Sequence, residues 1–303
     1  MKKRKGLLVI IVLCIVSFVA TIALGIACIF AFGNGRLDHA LREFTDRYHL
    51  SVHFDIPDYS VDYYGDLPSM QTPDADNRID LSVIPQGSDL EIECDNLSLT
   101  VRSGDMAAAK LTFAEGSQSL STDQYRFELF RTRENSNRYL LVFDFDSPLW
   151  VNAQVNPQLD VTLPNDLINR LDIDCGNSAV TLSGIACSIL TAESDNGSIT
   201  AENLAVQNTV DLNTDSGILQ LKNPAEGASI TCEVDNGEIW FNIGELAYYT
   251  IDAEAENGII INNLSSTPTT VGDHFHYQQH REDGYSGTRL YFQTDNGNIN
   301  LNP

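Results

Sequence analysis

Five acidic residues recur at one position of a repeated corner: Asp195, Asp215, Asp235, Glu256 and Asp295, each two residues before a glycine. Carboxylates on a regular spacing suit three kinds of chemistry. They can bridge calcium, hold a turn through Asx-type hydrogen bonds, or share acid and base work on a glycan. Stacked as β-rungs, such carboxylates stand about 4.8 Å apart and repel by about 1 kcal/mol even in water. Hydrogen bonds to the turn backbone are the plainest compensation. The glycine- and aspartate-rich nonapeptide of calcium-binding β-rolls is missing, so no calcium site is expected. Recurrence by symmetry also argues against hydrolysis, which needs carboxylates converging on one cleft.

Two other groups bear chemistry. His274, His276 and His280 lie in GDHFHYQQHRED, and His-x-His on a strand turns both imidazoles to one side, a geometry metals use. The stretch reads as an exposed insertion, and no metal is expected there. Arg126, Arg131, Arg133 and Arg138 concentrate in a chain otherwise poor in positive charge. Pairing with the acidic surface is the plain reading, and docking of an anionic wall polymer the sharper one. Cys94, Cys175, Cys187 and Cys232 are scattered without a CxxC pair, which leaves a zinc site unsupported and suits small buried residues. No GxSxG, HExxH or phosphate-binding glycine loop occurs. No catalytic, cofactor-binding or metal-ligating residue is assigned, and no cofactor is expected.

The corners belong to a repeat. With the glycine as position zero, Gly197, Gly217, Gly237, Gly258 and Gly297 are the anchors. Position −7 holds Leu190, Val210, Ile230, Ile251 and Leu290, and position +2 holds Ile199, Leu219, Ile239, Ile260 and Ile299. Ala192, Leu212, Cys232, Ala253 and Phe292 stand at −5, with small residues such as Ser194 and Thr214 at −3. Two degenerate copies centre on Ser178 and Leu97. Alternation on both sides of the corner has the period of strands with one buried face. An antiparallel meander and a β-solenoid both fit this pattern. The stretch between +4 of one copy and −7 of the next is too long for a tight return turn. It carries apolar residues such as Ile185 and Leu204, which favours a coil with a further side.

VTLPNDLINRLDIDCGNSAVTL followed by the DNG-x-I corners resembles the bacterial "putative adhesin" β-strand-repeat family, a domain of unknown function, over roughly residues 79–303. The resemblance implies a membrane-anchored, extracytoplasmic β-solenoid, in some members encoded beside envelope-stress systems. It offers no catalytic residue to carry over.

The N-terminus sets the expected location. MKKRK precedes an uncharged run from Gly6 to Phe32, longer than the roughly 20 residues that span a bilayer. Basic residues before it place the N-terminus in the cytoplasm and the remainder outside. Lipidation at Cys28 and cleavage near Ala31 are the alternatives to an uncleaved anchor. Beyond residue 5 the chain carries 14 basic against 42 acidic residues, a balance of −28 that excludes nucleic acid as a partner. The expected organisation is a cytoplasmic tail at 1–5 and a transmembrane helix at 6–32. A juxtamembrane helix and extended spacer follow at 33–78. An all-β solenoid occupies 79–303, with an antiparallel β insertion at 107–163. Expected partners are the membrane, a cell-wall polymer or envelope protein, and a second copy meeting an open edge at the last rung. The expected role is non-catalytic binding, adhesion or scaffolding at the cell envelope. A polysaccharide-acting enzyme and a rigid spacer without ligand are the alternatives.

Overall fold

A computed structural model describes residues 69–113, 125–132, 136–145, 156–264, 269–279 and 287–303. The expected membrane anchor and juxtamembrane helix lie outside the described residues, as do Arg133 and His280. Among the described residues no α-helix is present, and no helix is long and apolar enough to cross a membrane. Strands dominate. β1 (Ser69–Gln71), β2 (Arg78–Asp80), β3 (Ser88–Cys94), β4 (Ser98–Ser103) and β5 (Ala108–Phe113) come first. β6 (Tyr125–Arg131), β7 (Arg138–Phe145), β8 (Pro157–Leu163), β9 (Ile168–Cys175) and β10 (Ala179–Ser183) follow. The long strands β11 (Ile189–Glu202), β12 (Thr209–Lys222) and β13 (Ser229–Asn242) each run through one corner. Last come β14 (Tyr249–Ala255), β15 (Ile260–Asn262), β16 (Thr269–Val271), β17 (His274–Gln279) and β18 (Thr288–Asn302).

The repeat predicts the register. β11, β12 and β13 pair in parallel with Leu190, Val210 and Ile230 in one row and Gly197, Gly217 and Gly237 in another. The degenerate copies obey the same frame, since β3 pairs β9 and β4 pairs β10, both parallel, with Leu90 opposite Leu171 and Leu99 opposite Val180. Positions −7 to −3 build one sheet, here sheet A, and positions +2 to +4 build sheet B. Every second residue of each arm is buried, from Leu190 and Ala192 on one side of the corner to Ile199 and Ala201 on the other. A third side returns from sheet B to sheet A and buries Ile185, Cys187, Leu204 and Val206. Asn203 and Asn223 open that return with φ of 54° and 48°, and Gly184 does so with 65°. In these rungs the left-handed backbone sits at the second corner, where Asn and Gly tolerate it, and at the first corner it occurs in the degenerate copy at Asn96, with φ of 56°.

The glycines of the first corner answer a different need. A Cβ on Gly217 would overlap the carbonyl oxygen of Gly197, and one on Gly237 would overlap that of Gly217. Gly297 stands in the same relation to Gly237, and Gly258 to Gly297. Close approach of one rung's backbone to the next excludes a side chain there.

The order of rungs departs from the order of the chain. β13 pairs β18 in parallel, and β14 and β15 pair the other side of β18. The last copy is thus interleaved between the third and fourth, which corrects the expectation of an open C-terminal edge: β18 has partners on both sides. Its alternating Leu290, Phe292, Ile299 and Leu301 fit the Gly237 copy as well as the Gly258 copy. The exposed flank belongs to β14 and β15, and the segment between them and β18 doubles back to cover it. β17 pairs β14 and β16 pairs β15, both antiparallel. Covering an edge in this way blunts strand addition by another chain.

The opposite end is closed similarly and needs two further corrections. Segment 107–163 is not an antiparallel insertion throughout, because β7 lies parallel to β3 and β8 parallel to β4. Its alternating residues continue the core rows, and only β6 on β7 and β5 on β8 turn antiparallel. The sheet also begins before residue 79, since β1 pairs β6 and β2 pairs β5. These strands are three residues each, too short for an alternation to show.

Candidate functional surfaces

Outside the core, each sheet presents one broad face, and the two differ in chemistry. On sheet A the outward rows are acidic. Asp174, Glu193, Glu233 and Glu254 lie at −4 or its equivalents, and Asp172, Asp211 and Asp252 at −6. The carboxylates at −2 continue the pattern toward the corner. Arg170 binds Asp172 at 2.8 Å, and this partner raises its guanidinium pKa.

Crowding leaves a mark. Burial, then the neighbouring carboxylates Asp174, Asp195, Asp215 and Asp211, push the Glu193 carboxyl above its ordinary value, and Glu233 is raised by burial and by Asp211, Asp235 and Asp295. Asp174 rises by burial and Asp195. An acid raised in the folded state binds protons there that the unfolded chain has already released. Its contribution to stability therefore falls as pH climbs from 4.5 for Glu, or 3.8 for Asp, through the raised value, and returns on acidification through the same window. The double variant Glu193→Gln, Glu233→Gln should melt about 2 °C higher than wild type at pH 7. That difference should shrink toward pH 4 and in high salt. Calorimetry across pH and sodium chloride checks this, and an unchanged or lowered melting temperature contradicts the repulsion.

The −2 row does not hold its corner. Among the described residues Asp195, Asp215, Asp235, Glu256 and Asp295 make no side-chain hydrogen bond, which overturns the Asx reading. The asparagines beside them hold it instead. Asn196 Nδ2 donates to Asn177 Oδ1 at 3.1 Å, Asn296 Nδ2 to Asn236 Oδ1 at 3.0 Å, and Asn257 Nδ2 to Asn296 Oδ1 at 3.2 Å. An amide both donates and accepts, so identical amides can chain from rung to rung where carboxylates cannot.

The other sequence candidates are placed as follows. Arg126 pairs with Glu128 at 3.0 Å and lies over the Phe130 ring at 4.8 Å. Arg138 pairs with Glu91 at 2.8 Å, and Arg131 Nε donates to the Ser136 carbonyl at 2.7 Å. Each described arginine of that group is engaged locally. His274 Nε2 and His276 Nδ1 lie 3.6 and 3.9 Å from Asp252 Oδ1, at the end of the acidic face. Among the described residues no three His, Cys, Asp or Glu side chains are grouped to hold a metal. The four described cysteines are buried. Cys94 and Cys175 meet across adjacent rungs with sulfurs 2.8 Å apart, and that contact together with burial holds the Cys94 thiol well above its usual range. Burial pushes Cys187 up to about 12.

Sheet B is different. Its central outward row reads Thr100, Thr181, Thr200, Gln220, Trp240, Asn300 and Ile261, none charged, and beyond Thr100 it runs on to Asp160 and Lys110 at the capped end. Trp240 is 39 % exposed, and its Nε1 donates to Glu238 Oε2 at 2.9 Å. Ile218 and Ile259 stand exposed in the flanking row. The sequence reading missed this surface. Its signal is faint, because Trp240 and Asn300 lie 60 residues apart and become neighbours only through the interleaved rung.

A stack of parallel rungs with a glycine corner, closed by antiparallel strands at both ends, defines an all-β solenoid-like protein. The chain belongs to the Toastrack DUF4097 family, a domain of unknown function, whose model matches residues 87–260, more than half of the 303 residues. Among solved structures it is similar to a putative cell adhesion protein from Clostridium sporogenes ATCC 15579, with 11 % identity and a TM-score of 0.48 over 74 % of this chain and 97 % of that one. No curated protein matches.

Proposed function

We propose that the protein is a single-pass envelope protein with its N-terminus in the cytoplasm, displaying the stack outside the membrane as a non-catalytic binding or scaffolding surface. One observation supports this above others: the ionisable side chains of sheet A follow the rung period. Among the described residues they lie mainly in rows, and the one carboxylate in the shallow cleft beside β17, Asp252, faces Arg289 and Tyr291 without a second carboxylate to share acid and base work. Rows on a rigid sheet suit an extended partner met over several rungs, such as a wall polymer. The uncharged run at 6–32 supports the anchor, and the acidic sequence after it supports display outside. A link to envelope stress rests on the family resemblance alone.

The test is incubation of the full-length protein with insoluble cell-wall glycans. A binder co-sediments and leaves the glycan size distribution unchanged, whereas release of shorter products would show an enzyme. Failure to co-sediment would leave a spacer without ligand.

A further inference from the structure

Sheet B offers amides and an aromatic ring where sheet A offers carboxylates, and Asn300 is the first of these groups. Ile299 and Leu301 point inward, so Asn300 points out, between Trp240 and Ile261 in the adjoining rungs. It is only 6 % exposed, and among the described residues its side-chain amide makes no hydrogen bond; Asn302 Nδ2 reaches only its backbone carbonyl. Its two donors and one acceptor lie in register beside the half-exposed Trp240.

The indole is the second indication. Its one N–H is taken by Glu238, so what it offers outward is an apolar ring face fixed across the sheet. One rung further, Gln220 places another amide in the same row, also without a side-chain hydrogen bond among the described residues. A flat aromatic face between two free amides matches a ring with C–H bonds on its face and hydroxyls on its rim.

We infer that the central row of sheet B, around Trp240, Gln220 and Asn300, binds a neutral polysaccharide chain. The pyranose ring of one sugar stacks on Trp240 while its hydroxyls, and those of the next sugar, exchange hydrogen bonds with the two amides. Charge selects the class. From Thr100 to Ile261 the row is uncharged, with Asp160 and Lys110 only at its far end, while the molecule beyond residue 5 carries −28, which disfavours an anionic polymer, and the carboxylate rows that would hold a cationic one are on sheet A. Continuation of hydrogen-bonding side chains through Thr200 and Thr181 favours a chain over a single sugar. This assignment deepens the surface-binding reading and rests on it.

The test uses the full-length chain in a detergent without a sugar headgroup, in a Trp150→Phe background so that fluorescence reports Trp240 alone. The probes are hexamers of β-1,4-linked glucose and of β-1,4-linked N-acetylglucosamine. At least one should shift the emission saturably. Trp240→Ala, followed by calorimetry, should weaken that affinity at least tenfold and Asn300→Ala about three- to tenfold. Asp215→Asn on sheet A should leave it unchanged. Melting temperatures of all variants establish that they are folded, and the conservative Trp240→Tyr should retain part of the binding. Absence of binding by both hexamers overturns the assignment, as does binding indifferent to Trp240→Ala. Self-association in sedimentation that Trp240→Ala abolishes would show a second copy as the occupant and also overturn it. Co-sedimentation with insoluble wall glycans that persists undiminished in Trp240→Ala leaves the surface-binding reading standing and this site refuted; absence of both co-sedimentation and hexamer binding in the chain with Trp240 intact refutes both.

Discussion

Truncation after Gly287, which removes β18, is expected to abolish cooperative unfolding altogether. In a simple solenoid the last rung contacts one neighbour, and its loss costs one interface. Here β18 lies between β13 and the β14–β15 pair, so its loss opens two interfaces and uncovers two unpaired strand edges. It also removes Leu290, Phe292, Ile299 and Leu301, which are at most 2 % exposed. At about 1.5–3 kcal/mol for each fully buried side chain, the loss rivals the roughly 5–15 kcal/mol that holds a typical domain together. The truncated protein should elute as an aggregate and show no sharp thermal or urea transition. A monomer melting within a few degrees of the intact chain would disprove the interleaved position of β18.

Gly217→Ala should destabilise by about 3 kcal/mol or more, reversing the usual sign of such a change. In extended backbone that alanine can adopt, glycine to alanine stabilises by about 0.4–1 kcal/mol by restricting the unfolded chain. At Gly217 the new methyl would overlap the Gly197 carbonyl oxygen, which belongs to the backbone and cannot rotate away. Adjacent rungs must separate, and the parallel hydrogen bonds through the corner weaken with them; overpacking in a tight site costs about 1–3 kcal/mol before those bonds are counted. Gly272→Ala is the control, since nothing lies within 4 Å of its added methyl. Urea midpoints of the two variants, at unchanged slope, measure the difference. Equal midpoints would mean that the corner glycines serve no steric need.

Both experiments bear on how much of the molecule could be read in advance. The rows through Leu190, Val210 and Ile230, and the degenerate copies at Ser178 and Leu97, were legible because side-chain alternation is local and survives changes in residue identity. The corner hydrogen bonds were misread, since Asp195 and Asn196 are adjacent and both suit a turn. Which of them faces the next rung depends on backbone direction at the bend. Trp240 gave no hint of a site because its partners come from other rungs.

What the sequence by itself determined is the rung: its length of about twenty residues, its buried and exposed sides, and the glycine where two backbones touch. These follow from side-chain period and steric size, properties each copy carries alone. The succession of rungs was decided only by the tertiary structure. Copies with the same alternation offer one another nearly the same mating surface, so the pattern cannot say which copy lies beside which. That choice interleaved β18, covered the far edge with β16 and β17, and brought Asn300 beside Trp240.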